Sequence, residues 1–146
     1  MTITIEQLQL DELKAFLRVQ ADDAFPGLKD QNRLNVLAEK WHKYAEFCTC
    51  RDEGGQLVGM IAFYANQPLG GVIYIPHVYV SKNYRGKGAF TYMFVQIKQY
   101  ATNKGFSLIR LEVQKDNIKA QRSYLNNGFQ IDRGASKKTI YMQCKI

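Results

Sequence analysis

Hydrophobic positions along the chain follow two rhythms, and their alternation lays out a series of elements. Residues 2–6, Thr-Ile-Thr-Ile-Glu, alternate at period two and predict a first strand. Leu10, Leu13 and Leu17 then recur at helical spacing with Phe16 beside them, and Asp11-Glu12 suit the positive end of a helix dipole. Ala24-Phe25-Pro26-Gly27 stops that helix. Leu34, Leu37, Ala38 and Trp41, at i, i+3, i+4 and i+7, mark a second helix, whose exit is blurred because residues 44–50 already alternate like a strand. Asp52-Glu53-Gly54-Gly55 reads as a hairpin turn into residues 57–64, where Val58, Met60, Ala62 and Tyr64 share one face. A turn over residues 66–71 leads to a run at 72–80, Val-Ile-Tyr-Ile-Pro-His-Val-Tyr-Val. Proline cannot donate to a ladder, so Pro76 implies an edge, a bulge or an unpaired stretch.

That run breaks into a polar turn, Ser81-Lys82-Asn83-Tyr84-Arg85-Gly86-Lys87-Gly88, and a third helix opens behind it. Phe90, Phe94, Ile97 and Ala101 carry the helical stripe, widened by Met93 and Tyr100, and Asn103-Lys104-Gly105 ends it. Residues 108–113 predict a buried strand, and Asp116 or Asn117 caps a short helix that Asn127-Gly128 terminates. Residues 129–132 and 139–144 close the chain as an antiparallel pair. The order β, α, α, three antiparallel strands, α, β, α, β, β predicts an α/β fold with a mixed, mostly antiparallel sheet and flanking helices. Its one parallel pair is the right-handed crossover from residues 72–80 through the third helix to 108–113.

Composition narrows the setting without changing this picture. A chain of 146 residues, 46% hydrophobic and 23% charged, fits one soluble globular domain that buries a core without staples. No run of about 18 apolar residues is present, and the start lacks the basic and apolar segments of a signal peptide, so neither a membrane nor export is expected. Cys48, Cys50 and Cys144 are an odd number, and Cys48-x-Cys50 is too tight for a zinc pair; buried thiols in a reducing cytoplasm and no metal are expected. The net charge of +7 is uneven: residues 1–53 hold seven Lys/Arg against ten Asp/Glu, a balance of −3, and residues 54–146 hold thirteen against three, +10. The basic part coincides with the glycine turn, which suits a polyphosphate ligand, although many lysines simply solvate helix surfaces. A nucleic-acid-binding module using this basic region with aromatic platforms is an alternative reading, whose affinity would fall steeply with salt.

The turn between the 72–80 strand and the third helix carries the candidate chemistry. Gly86 and Gly88 let the chain take φ > 0 and bring bare backbone against a ligand. The first-turn N–H groups of the helix have no partners inside it, and the dipole adds about half a positive charge, so an anion such as phosphate is the natural guest. Lys82, Arg85 and Lys87 surround the turn. A nucleotide P-loop, GxxxxGK(S/T), does not follow the strand, and the dinucleotide pattern GxGxxG fails because Thr91 stands where its third glycine belongs.

The segment resembles the acyl-CoA-binding motif of the GNAT superfamily of N-acetyltransferases, Gln/Arg-x-x-Gly-x-Gly/Ala. Arg85-Gly86-Lys87-Gly88 fills its first four places, and Phe90 departs from the small residue of the last. Phe90 would either crowd the phosphates or rotate into the core stripe with Phe94 and Ile97. A second motif, Asn-x-x-Ala-x-x-x-Tyr-x-x-x-Gly-Phe, is met by Asn117, Ala120, Tyr124, Gly128 and Phe129, and the element order is also that family's. The resemblance implies one GNAT domain over residues 1–146 that moves an acetyl group from acetyl-CoA to a primary amine, without a covalent enzyme intermediate or a metal.

By that resemblance, the amides from Arg85 through Thr91 (Arg85, Gly86, Lys87, Gly88, Ala89, Phe90, Thr91) hold the pyrophosphate of coenzyme A. Val78 and Val80 pair with the pantetheine arm through their backbone, and an amide at Val78 or Tyr79 stabilises the oxyanion. Asn117 would contact pantetheine, and Tyr124 would be the general acid that protonates the departing thiolate. The base stays open among His77, whose unperturbed pKa is about 6.5, Glu112, and water. Strand alternation places His77 and Tyr79 on one face and Val78 and Val80 on the other, unless Pro76 introduces a bulge. The acceptor is expected to be a small molecule, the acidic first third would suit a cationic amine, and a homodimer is compatible with the family. A non-catalytic acyl-CoA sensor, which would tolerate loss of Tyr124, is the other alternative.

Overall fold

In the computed structural model, which describes residues 1–66 and 70–146, the two rhythms resolve into strands and helices in the predicted order. These are β1 (Thr2–Glu6), α1 (Leu10–Asp23), α2 (Gln31–Tyr44), β2 (Glu46–Arg51), β3 (Leu57–Tyr64), β4 (Val72–Val80), α3 (Ala89–Lys104), β5 (Leu108–Gln114), α4 (Ile118–Asn126), β6 (Gln130–Gly134) and β7 (Thr139–Lys145). Short 3₁₀ turns at Pro26–Lys29 and Lys82–Tyr84 join them. Seven strands form one mostly antiparallel sheet in the order β1-β2-β3-β4-β5-β7-β6, with β4 and β5 as the parallel pair. The last strand therefore inserts beside β5 and leaves β6 at the edge. The central part of the turn predicted over residues 66–71 lies outside the described residues. Among the described residues no helix is long and apolar enough to cross a membrane.

The chain divides into two units, of which the first comprises Met1–Ala62 and His77–Gln96. In it β1 pairs with β2 in a continuous antiparallel register from Thr2↔Arg51 to Glu6↔Phe47. Helix α1 buries Leu13, Phe16, Leu17, Gln20 and Ala21, an i, i+3, i+4, i+7, i+8 stripe. Helix α2 buries Leu34, Ala38 and Trp41, and the Asp30 carboxylate caps it by accepting from the amides of Asn32 and Arg33. On β3 both faces are buried through residues 57–62, where simple alternation had assigned a single face. Gly59 is one reason: a β-carbon there would stand 3.2 Å from Cys50 Cβ and 3.4 Å from Met93 Cε, so the missing side chain lets α3 pack close. Cys48 is buried and its thiol is pushed up to about 12 by burial, which leaves it inert near neutral pH.

The second unit comprises Phe63–Pro76 and Ile97–Ile146. Its parallel ladder runs from Val72↔Leu108 to Ile75↔Leu111 and ends one residue before Pro76. Of the three readings of that proline, an edge is excluded because β4 is interior in the strand order. A bulge is excluded too, because Ile73, Ile75, His77 and Tyr79 keep strict alternation of burial through it. The missing N–H marks the end of a ladder. On its other side β5 pairs with β7 from Leu108↔Lys145 to Gln114↔Thr139. Ile73, Ile97, Ile109, Phe129 and Met142 form the core of this unit, each at most 2% exposed. Each such burial contributes roughly 1.5–3 kcal/mol.

Candidate functional site

The glycine turn is built from β4 outward. The amide of Ser81 donates to Val58 O at 2.7 Å and fixes the end of β4. A 3₁₀ turn, closed by Tyr84 N to Ser81 O at 2.8 Å, redirects the chain. Gly86 and Gly88 then both adopt left-handed backbone, φ 75° and 82°, as the sequence requires of them. The first bond of α3 runs from Tyr92 N to Gly88 O at 3.0 Å, so the amides of Ala89, Phe90 and Thr91 precede the helical ladder. Gly86 and Gly88 lie on an exposed stretch, and a β-carbon added at Gly86 would meet nothing within 4 Å.

Phe90 is half-buried and stacks on Phe94 with centroids 5.7 Å apart and planes within 7°. It has turned toward the helix stripe. Ala89, only 3% exposed, takes the most enclosed place at the helix start.

The cations around the turn are not equivalent. The Arg85 guanidinium donates to the Asp23 carboxylate at the end of α1, its Nε donates to Val80 O at 2.8 Å, and it lies over the Tyr79 ring. The Tyr79 hydroxyl donates to the same carboxylate at 2.7 Å. The hydrogen bond from Tyr79, with Arg85 beside it, holds the Asp23 carboxyl below its usual range. Arg85 thus ties the turn to α1. Lys87 lies 5.5 Å over the Tyr84 ring.

His77 and Tyr79 share the buried face of β4, and Val78 and Val80 the half-buried one, as alternation predicted. The His77 ring is 7% exposed and sits between Phe25, 4.6 Å away, and Trp41, 4.9 Å away. Its Nε2 is 2.5 Å from Gln20 Oε1, and Gln20 Nε2 donates to Met60 Sδ at 3.6 Å. Burial pulls the imidazole down to about 4, so it is neutral near pH 7. The sequence had offered His77 as a base; its surroundings are those of an enclosed, uncharged ring.

Three candidates belong to the second unit. Asn117 caps α4, its side chain accepting from Ala120 N at 3.1 Å. Tyr124 is half-buried, its ring 5.6 Å from that of Phe129, and burial pushes its phenol up to about 12. Glu112 is exposed and accepts from the Thr139 hydroxyl at 2.6 Å. Among the described residues no group of three His, Cys, Asp or Glu is arranged to hold a metal ion.

Sequence reasoning missed Gln20, Asp23, Phe25 and Trp41 as partners of the site. One signal was present: Gln20 falls at i+7 from Leu13, a polar residue in phase with the apolar stripe of α1.

The acetyltransferase (GNAT) family model matches residues 10–129, a span that includes the glycine turn and all of α4. The chain belongs to this family of acyl-CoA-dependent N-acetyltransferases. No curated protein sequence matches it. Among solved structures, PaiA N-acetyltransferase of Thermoplasma acidophilum, in complex with coenzyme A, is similar with a TM-score of 0.75 at 16% identity over 100% of both chains. A GNAT-family acetyltransferase of Staphylococcus aureus gives 0.77 at 18% identity, covering 99% of each chain. A chimera of the spermidine N-acetyltransferase SpeG from Vibrio cholerae with hSSAT gives 0.77 at 16% identity over 97% of this chain and 95% of its own. These likenesses carry the fold.

Proposed function

We propose that residues 1–146, acting as one acetyltransferase domain, transfer the acetyl group of acetyl-CoA to the primary amine of a small molecule. The amine nitrogen bonds to the acetyl carbon, the carbon–sulfur bond breaks, the nitrogen gives up a proton and the departing thiolate takes one. The reading rests on the turn at Gly86 and Gly88, an exposed left-handed pair leading into the unladdered amides of Ala89–Thr91. Those amides, with Lys87, would hold the diphosphate of coenzyme A, and an anion at that place also gains from the α3 dipole. The backbone of Val78 and Val80, beyond the end of the β4–β5 ladder, would hold the pantetheine arm in the manner of an added strand.

Tyr124 is assigned the proton donor for the thiolate, through the family motif it occupies and a phenol that burial keeps protonated. His77 is assigned a positioning role, because a neutral imidazole enclosed by Phe25 and Trp41 fixes the C-terminal half of β4. Loss of the ammonium proton is assigned to water, with exposed Glu112 as the side chain able to receive it. Arg85, engaged with Asp23, positions the turn.

Calorimetry on the purified chain should give a 1:1 binding isotherm for acetyl-CoA and for coenzyme A. The variant Gly88→Val should weaken both by about 5- to 30-fold, because an L side chain at φ 82° costs roughly 1–2 kcal/mol. Its β-carbon would also stand 3.3 Å from the Tyr92 ring. No heat with either ligand at millimolar concentration would end the enzyme reading.

A further inference from the structure

Part of the negative charge of the first third is engaged within the fold. Glu6 and Glu12 both pair with Arg51, Asp23 pairs with Arg85, and Asp30 caps α2.

A different feature stands beside β4. Between the end of α1 and α2 lies a cavity of about 710 Å³, within the size of small-molecule sites, walled by Phe25, Leu28, Val36 and Leu37. Its charged lining consists of Arg33 and Lys40, and among the described residues no carboxylate borders it. Phe25 is shared: one face of this wall meets the rings of His77 and Tyr79, at 4.6 and 6.2 Å, on the half of β4 assigned to the pantetheine arm. Val36 is 67% exposed, a large apolar side chain held in water at the cavity's rim. The Arg33 guanidinium lies along the chain at Gly27, its Nη1 2.8 Å from where a β-carbon on that residue would stand. Glycine at this position leaves the room that the guanidinium occupies. Asp30 accepts from the backbone amide of Arg33, and among the described residues the guanidinium makes no ion pair.

We propose that this cavity takes the acceptor, and that the acceptor is an amine with an apolar body and an anionic group, such as a hydrophobic amino acid. The inference rests on the acetyl-transfer reading given above. Apolar walls would take the body, and a guanidinium binds a carboxylate through paired, charge-assisted hydrogen bonds. The Arg33 guanidinium, with no carboxylate among the described lining residues, disfavours a polyamine, whose charge has the wrong sign. Likeness of fold to a spermidine N-acetyltransferase does not carry a polycation across at 16% identity.

The test measures thiol release by the full chain with acetyl-CoA and matched amines: leucine against isoamylamine, phenylalanine against phenethylamine, and spermidine. The carboxylate-bearing member of each pair should have a KM lower by about tenfold, and spermidine should be the poorest acceptor. Arg33→Gln should erase the difference within each pair by raising KM for the amino acid alone, with kcat unchanged. Val36→Asp should raise KM for every apolar acceptor. Spermidine as the best acceptor, an unchanged KM in Arg33→Gln, or turnover of none of the apolar anionic amines would overturn the proposal. Calorimetry with acetyl-CoA alone separates the two levels. Wild-type protein that binds acetyl-CoA without this preference defeats the acceptor assignment only, whereas wild-type protein that binds none defeats the transferase reading beneath it.

Discussion

Tyr124→Phe is expected to lower kcat by about 10²–10³ while acetyl-CoA affinity stays within about threefold. The departing thiolate needs a proton, and a phenol held up to about 12 by burial is protonated throughout the neutral range. Ionisation of Tyr124 therefore sets no limb of the pH–rate profile below about pH 11, and a fall in kcat on the acidic side reports groups other than Tyr124. The phenylalanine variant keeps the ring packed 5.6 Å from Phe129, so its thermal midpoint should move by only a few degrees, and the lost rate would be chemical. Steady-state kinetics at saturating acetyl-CoA, together with calorimetry on the variant, decide the matter. A variant with wild-type kcat places the acid elsewhere, and one that no longer binds acetyl-CoA makes Tyr124 a binding residue.

What the sequence disclosed was local. Alternation from Val72 to Val80 bounded β4 correctly, Gly86 and Gly88 announced left-handed backbone, and Asn117 capped α4 where a cap was expected. Each of these depends on neighbours within a few residues, and that is where periodicity and turn chemistry act. Pro76 was legible as an interruption, but only strand order could decide which kind, because whether β4 is interior depends on partners far along the chain. The insertion of β7 between β5 and β6 was hidden for the same reason. Burial of both faces of β3 could not be read from alternation, which registers a difference between faces and is silent when both are apolar.

The site divides along the same line. Amides at a helix start follow from turn and helix alone. The partners that set each side chain's chemistry come from distant positions: Gln20 reaches His77 across 57 residues, and Asp23 reaches Arg85 across 62. A histidine in a strand reads as a base until Phe25 and Trp41 are seen to enclose it. A count of carboxylates does not show that Glu6 and Glu12 share Arg51 and that Asp23 holds Arg85. Charge counted along a chain gives totals, and a ligand responds to what is left after the pairs have formed.

That enclosure has a measurable consequence for stability. In the unfolded chain the His77 imidazole protonates near its ordinary value of 6.5, and in the folded protein burial holds it unprotonated down to about 4. Between those values the unfolded state binds more protons than the folded one, so stability is complete above about pH 6.5 and is lost as pH falls toward 4. A shift of this size corresponds to about 3 kcal/mol, a large share of the 5–15 kcal/mol typical of a domain. Glu6 and Asp23, whose carboxyls are lowered by Arg51 and by Tyr79 with Arg85, lose their contributions at still lower pH and leave the window from 6.5 to 5 to the histidine. Urea titrations at pH 7 and 4.5 should show the wild type weaker by about 2–3 kcal/mol at the lower pH. In His77→Phe, a ring of similar shape with no titrating group, most of that difference should vanish. Gln20→Leu should behave differently, since losing the 2.5 Å acceptor from a fully buried position destabilises by about 1–3 kcal/mol at both pH values. Parallel pH slopes for wild type and His77→Phe would mean that the imidazole is hydrated, and a hydrated His77 would be a base again.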